Sequence, residues 1–152
     1  MSHSYQRLLL SGALCLLCAG TAAEQSSTFG DYTVHYNAFS TDILTPEVAK
    51  AYGIQRSKSH ALLNISVLKK VMGTTGEPVR ARVQATATNL SAQLRQLNVR
   101  ELIDEQSDSK AIYYLAETQV TDGETLKFSI TVTPAESSAS TTVTFDQQFF
   151  TN

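Results

Sequence analysis

From Tyr32 the chain alternates, with Tyr32, Val34, Tyr36 and Ala38 on one side and Thr33, His35 and Asn37 on the other. A period of two puts one side on a core and the other in water, so 32–39 is predicted as a strand. The same pattern predicts strands over 61–68, where Leu63, Ile65 and Val67 oppose Asn64 and Ser66, and over 79–89. Along 79–89 the inward set is Val79, Ala81, Val83, Ala85 and Ala87. Such small side chains need bulky ones opposite them, which the aromatic residues of later strands would supply. Residues 90–103 carry two patterns, a helical stripe (Leu90, Leu94, Leu97) and a strand (Leu97, Val99, Glu101, Ile103). We assign 97–103 to a strand and the residues before it to a loop. The polar patch from Asp104 to Lys110 makes the next turn, and further strands are predicted over 111–120, 125–133 and 141–149.

Between the first two strands, Asp42 to Ile54 carries both ends of a helix. Thr45 suits the N-cap, Pro46 the first helical position, and Glu47 the positive end of the helix dipole. Gly53 suits the left-handed residue that ends it, with Ile54 folding back. So short a helix does not stand alone in water, so Val48 and Tyr52, four apart on one face, must dock on the sheet. The strands 111–120 and 125–133 are predicted to form a hairpin around Asp122-Gly123. A three-residue loop Thr121-Asp122-Gly123 would set Ile112, Tyr114 and Ala116 against Val132, Ile130 and Phe128, and Glu117 against Lys127.

Seven short antiparallel strands and one short helix after the first of them define an all-β, immunoglobulin-like sandwich. The Cys and Trp core markers of antibody domains are absent from this stretch. An outer-membrane barrel is the rival architecture. It would want an even strand count and aromatic girdles, and would put the small side chains of 79–87 on lipid.

The first residues carry an address. Arg7 precedes Leu8–Cys18, an uncharged apolar run too short to span a bilayer, and small residues follow from Ala19 to Ala23. This reads as a secretory signal over 1–23 cleaved near Ala23, leaving 24–152 as one domain with no transmembrane segment and a periplasmic location. Both cysteines, Cys15 and Cys18, lie in the removed piece. The mature chain would then have no disulfide, thiolate nucleophile or cysteine metal site. With 42% hydrophobic and 17% charged residues the composition is that of a globular chain. A net charge of -2, made more negative by the loss of Arg7, argues against nucleic acid as a partner.

Chemistry is sparse. His35 and His60 are the imidazoles beyond the leader, too few and too far apart in sequence for a metal site, so no metal and no cofactor are expected. There is no Gly-x-Ser-x-Gly elbow and no glycine-rich phosphate loop. The densest unusual surface joins His35-Tyr36-Asn37-Ala38-Phe39 to Tyr52-Gly53-Ile54-Gln55-Arg56. Its candidate binding residues are His35, Tyr36, Asn37, Tyr52 and Arg56, with donors suited to an anionic or carbonyl-bearing group. In the competing reading Tyr36, Phe39 and Tyr52 are core or docking residues and His35 is a hydrogen-bonded strand residue. A second candidate is the basic cluster Lys69, Lys70, Arg80 and Arg82, which would serve solubility or meet anionic lipid or polysaccharide. The acceptor motifs at Asn64 and Asn89 are short enough to occur by chance.

The segments Gly30–Phe39, Leu44–Ala49, Tyr52–Arg56, Leu62–Val67, Ala111–Ala116 and Phe145–Phe150 resemble a family of small exported proteins of Gram-negative bacteria, catalogued as a domain of unknown function. The resemblance spans nearly all of the mature chain. It implies a periplasmic address and a single β-rich domain, and it supplies no activity, ligand or catalytic residue. Two functions are therefore carried forward. One is a non-enzymatic module that binds a protein or envelope component. The other is an envelope enzyme or small-ligand carrier using His35, Asn37 and Arg56.

Overall fold

Alternation decides which residues are buried. Val34, Tyr36 and Ala38 face the interior with Leu63 and Ile65 beside them, while Thr33, His35 and Asn37 face out. In the computed structural model the described residues are 24–105 and 109–152. The expected signal segment with its cut, and part of the turn before Lys110, lie outside them. The strands described are β1 (Gln25–Phe29), β2 (Tyr32–Ser40), β3 (His60–Lys69), β4 (Glu77–Pro78), β5 (Ala81–Asn89), β6 (Leu94–Leu97), β7 (Arg100–Asp104), β8 (Ala111–Gln119), β9 (Thr125–Pro134) and β10 (Thr141–Gln148). Helix α1 (Pro46–Tyr52) lies between β2 and β3.

Every ladder is antiparallel. The first sheet runs β1-β2-β3-β8-β7, with β4 paired to the end of β3, and the second runs β10-β9-β5-β6. Without β1 and β4, β2-β3-β8-β7 against β10-β9-β5-β6 is the ABED and GFCC′ order of an immunoglobulin-like sandwich. The main core fills the space between the sheets. Ala85 and Ala87 are fully buried beside Ile130 and Phe128, and Phe128 stacks on Phe145 at 5.1 Å. Small residues of β5 and aromatic residues of β9 and β10 share the interior, as the sequence pattern requires. Each large side chain removed from water in this way contributes about 1.5–3 kcal/mol.

A second, smaller core sits on the outer face of the first sheet. Phe39, Leu62 and Leu115 form its floor, and Leu44, Ala49 and Ile54 cover them from the α1 segment. Both helix ends match expectation. Thr45 Oγ1 accepts from Val48 N–H at 3.3 Å, and Gly53 takes φ +64° while Ile54 N–H reaches Ala49 O at 2.8 Å.

Three expectations need correction. First, β1 and β4 are additional strands, β1 being an exposed edge with no apolar alternation to announce it. Second, 97–103 is not one strand and 90–96 is not all loop. Leu97 ends β6 on the second sheet, and Arg100 begins β7 on the first. The chain changes sheets at Asn98-Val99, and a run of alternating side chains does not reveal that change. Third, β8 and β9 do not form a hairpin. β8 pairs with β3 and β7, while β9 pairs with β5 and β10, so Glu117 lies opposite Leu62, and Lys127 opposite Asp146 and Thr88. Gly123 is left-handed (φ +70°) as expected, but it turns the chain from one sheet to the other.

Candidate functional site

A two-residue turn at Gly30-Asp31 returns β1 along β2, with Phe29 paired to Tyr32 and Gly30 at φ +54°. This hairpin edges the outer face of the first sheet. On that face the outward residues of β2 meet those of β3, with His35 opposite Ser66 and Asn37 opposite Asn64. Asn64 Oδ1 is buried and has no hydrogen-bond partner among the described residues. It borders a cavity of about 10 Å³ beneath α1, lined also by Phe39, Tyr52, Leu62 and Leu115.

The five residues proposed from sequence do not converge. Tyr36 belongs to the interior, 8% exposed and 5.1 Å from the ring of Phe145, because it shares the inward side of β2 with Val34. Arg56 is a structural clamp. Its Nε donates to Leu44 O at 2.6 Å and its Nη2 to Asp42 O at 3.0 Å, fastening the two ends of the α1 segment together. Tyr52 packs in the outer core, where its hydroxyl donates to Asp104 Oδ2 at 3.4 Å and its carbonyl accepts from Arg100 Nη2. Burial first, then the Asp104 carboxylate, raises the Tyr52 pKa. His35 and Asn37 remain on the outer face, half-buried.

His35 does line a concave site. A groove of about 130 Å³ runs between the β1–β2 turn and the loop after β3, lined among others by Thr28, Asp31, Thr33, His35, Lys70 and Thr75. Thus part of the first candidate surface meets part of the second. Both structure and charge break up the rest of the basic cluster. Lys69 pairs with Glu136 at 2.7 Å, and Arg80 with Glu101 at 3.0 Å. Arg82 stands on β5 in the second sheet. Sequence reasoning missed the threonines and Glu24. The Glu24 carboxylate lies 2.8 Å from His35 Nδ1, a contact that depends on β1 and so had no signal in the alternation pattern. Among the described residues no three His, Cys, Asp or Glu side chains gather where a metal ion could be held. Nor does any described helix have the length and apolarity to cross a membrane.

A family model described as "Domain of unknown function (DUF4426)" matches residues 26–152. The crystal structure of a DUF4426 family protein (PA0388) from Pseudomonas aeruginosa PAO1 is similar at 33% identity, covering 85% of this chain and 96% of that one, with a TM-score of 0.69. FetP of uropathogenic E. coli strain F11, recombinantly expressed in the periplasm of E. coli BL21(DE3), is similar in fold alone, at 11% identity and a TM-score of 0.57 over 85% of this chain and 95% of that one. No curated protein matches the chain.

Proposed function

The chain belongs to the DUF4426 family, a domain of unknown function, and from that premise we propose that it is a non-enzymatic periplasmic binding module for a protein or envelope component. The observation that supports this reading is the His35 groove. Threonine, His35, Lys70 and Asp31 side chains line a shallow concavity on the outer sheet face. At about 130 Å³ it is smaller than the roughly 300–1,000 Å³ of small-molecule sites. It suits one carboxylate-, phosphate- or hydroxyl-bearing group presented by a larger partner, held by charge-assisted hydrogen bonds. The periplasmic address rests on the signal-like residues 1–23.

One observation favours the enzyme reading as second choice. Glu24 and His35 form a carboxylate–imidazole pair beside the groove, as in a general-base dyad. We rank it second because Glu24 is 64% exposed and no hydrogen bond among the described residues joins His35 to a nucleophilic hydroxyl.

Photocrosslinking in intact cells tests the binding reading, with a photoreactive residue at position 75 in the groove and a control at position 82 on the other sheet. Adducts are expected from position 75 and should be lost in His35→Ala and Lys70→Ala variants whose thermal midpoints are unchanged. Adducts that persist in both variants, or arise equally from position 82, would overturn it. Hydrolysis of a model ester or amide that is abolished by Glu24→Gln would favour the enzyme instead.

A further inference from the structure

The open edge of β10 carries an inference independent of the His35 groove. Among the described strands, β10 is the outer one of the second sheet and pairs with β9 alone. Over Thr141–Gln148 it contains no Pro, Lys or Arg, and Asp146 is its one charge. The other outer strands are blunted. β1 and β7 have five residues, and β6 has four. β6 carries Arg95, and β7 carries Arg100, Glu101 and Asp104. A long edge whose one charge is Asp146, with no Lys or Pro, is weakly guarded, because its unpaired N–H and C=O groups template another strand.

The hydrogen-bond pattern identifies which groups are free. Phe149 N–H donates to Glu124 O at 2.9 Å, continuing the β9–β10 register by one pair. On the other side of β9, Ala135 N–H donates to Arg80 O at 2.9 Å. Odd residues of β9 therefore bond to β5, and even residues bond to odd residues of β10. By the same alternation, Thr142, Thr144, Asp146 and Gln148 turn their N–H and C=O groups to the open side.

We infer that this edge pairs with the same edge of a second copy, antiparallel about a two-fold axis at Thr144. The sequence around Thr144 is self-complementary in that register. Thr144 meets Thr144 of the second copy in a hydrogen-bonded pair, and Val143 meets Phe145 on the core side. On the solvent side the Thr142 hydroxyl meets the Asp146 carboxylate, a charge-assisted hydrogen bond. An axis at Phe145 would set Val143 against Gln147, and one at Asp146 would oppose two carboxylates. The two-copy ladder is isologous and closes on itself, so it stops at a dimer in which the two second sheets fuse into one continuous eight-stranded layer. Being small, it should associate with Kd in about the micromolar range.

Sedimentation velocity of the purified protein across that range tests the proposal with three substitutions. Thr144→Pro removes an N–H that bonds to no other described residue of its own copy, a change edge strands tolerate. Thr144→Lys puts two ammonium groups face to face across the axis. Thr144→Cys brings two thiols within disulfide reach, since Cα atoms of such a pair lie about 5.5 Å apart. The expected result is a concentration-dependent dimer in the parent that is lost in the Pro and Lys variants with thermal midpoints retained. Oxidation should link copies carrying Thr144→Cys, and neither the parent nor Thr131→Cys on β9. If the Pro variant fails to fold, the Lys variant decides. A parent that stays monomeric overturns the proposal, as does a dimer that survives both substitutions. Capture of an extended peptide by an edge that never self-pairs also overturns it.

Discussion

Tyr114 ties the two sheets together with one hydroxyl. It stands on β8 in the first sheet, accepts Ala81 N–H of β5 at 2.8 Å, and donates to Glu101 Oε2 at 3.1 Å. Burial is the main cause of its raised pKa, and the Glu101 carboxylate adds to the shift while the Ala81 contact works against it. A folded pKa above the unfolded value near 10 means the contribution is fully present below about pH 10 and fades as pH rises through the folded value. Tyr52 shifts in the same direction. Tyr114→Phe leaves Ala81 N–H without its acceptor and should cost about 1–3 kcal/mol near neutral pH. Urea denaturation should also show a shallower alkaline loss in this variant than in the parent, and equal stability near neutral pH would mean the hydroxyl ties nothing. The inward placement of Tyr36 could be read from the period of two, since it shares a side with Val34 and Ala38. The role of Arg56 could not, because its acceptors are main-chain carbonyls 12 and 14 residues earlier. The Glu24–His35 contact was equally hidden, since Ser26, Ser27 and Thr28 of β1 have no apolar face to mark a strand.

Elements whose ends are written in local chemistry were the most legible. The α1 segment carries its N-cap, its proline at the first position and its left-handed glycine in sequence order, and all three function as such. Thr45→Ala should therefore cost about 0.5–2 kcal/mol. Hydrogen exchange should quicken across α1 and the outer core while the β9 amides keep their protection. Uniform quickening across both would mean that the helix is part of the main cooperative unit instead of an appended cover. The stretch 90–104 shows the opposite case. Leu94 is 67% exposed, so β6 has almost no apolar signal, while Leu97 and Ile103 pack into the same core from different sheets. Side-chain alternation reports which face is buried, and both halves bury the same face. The change of partner at Asn98-Val99 leaves no mark in that pattern.

At the scale of the whole molecule, topology overrules local pairing. Glu117 and Lys127 would suit a hairpin, yet in an immunoglobulin-like order the strands β8 and β9 occupy the E and F places, which lie in different sheets. An immunoglobulin-like order by itself excludes a hairpin between these two strands. The crossover is held by Glu124, whose carboxylate is 10% exposed. Its Oε1 accepts from Arg95 Nη2 at 2.6 Å and its Oε2 from Thr121 N–H at 3.0 Å, while Arg95 Nη1 reaches Gln119 O at 2.7 Å. One guanidinium on β6 thus grips both the end of β8 and the start of β9, which is where the chain passes between sheets. Glu124→Ala should destabilise by about 1.5–3 kcal/mol, the range for hydrogen bonds to a charged group. A double-mutant cycle with Arg95→Ala should give a coupling of about 0.5–3 kcal/mol, because the two side chains share one network. Additive losses would show that the turn at Gly123 and the packed strands hold the crossover without the ion pair. A measured coupling would instead place part of the sandwich's stability in a polar clasp that neither sheet contains by itself.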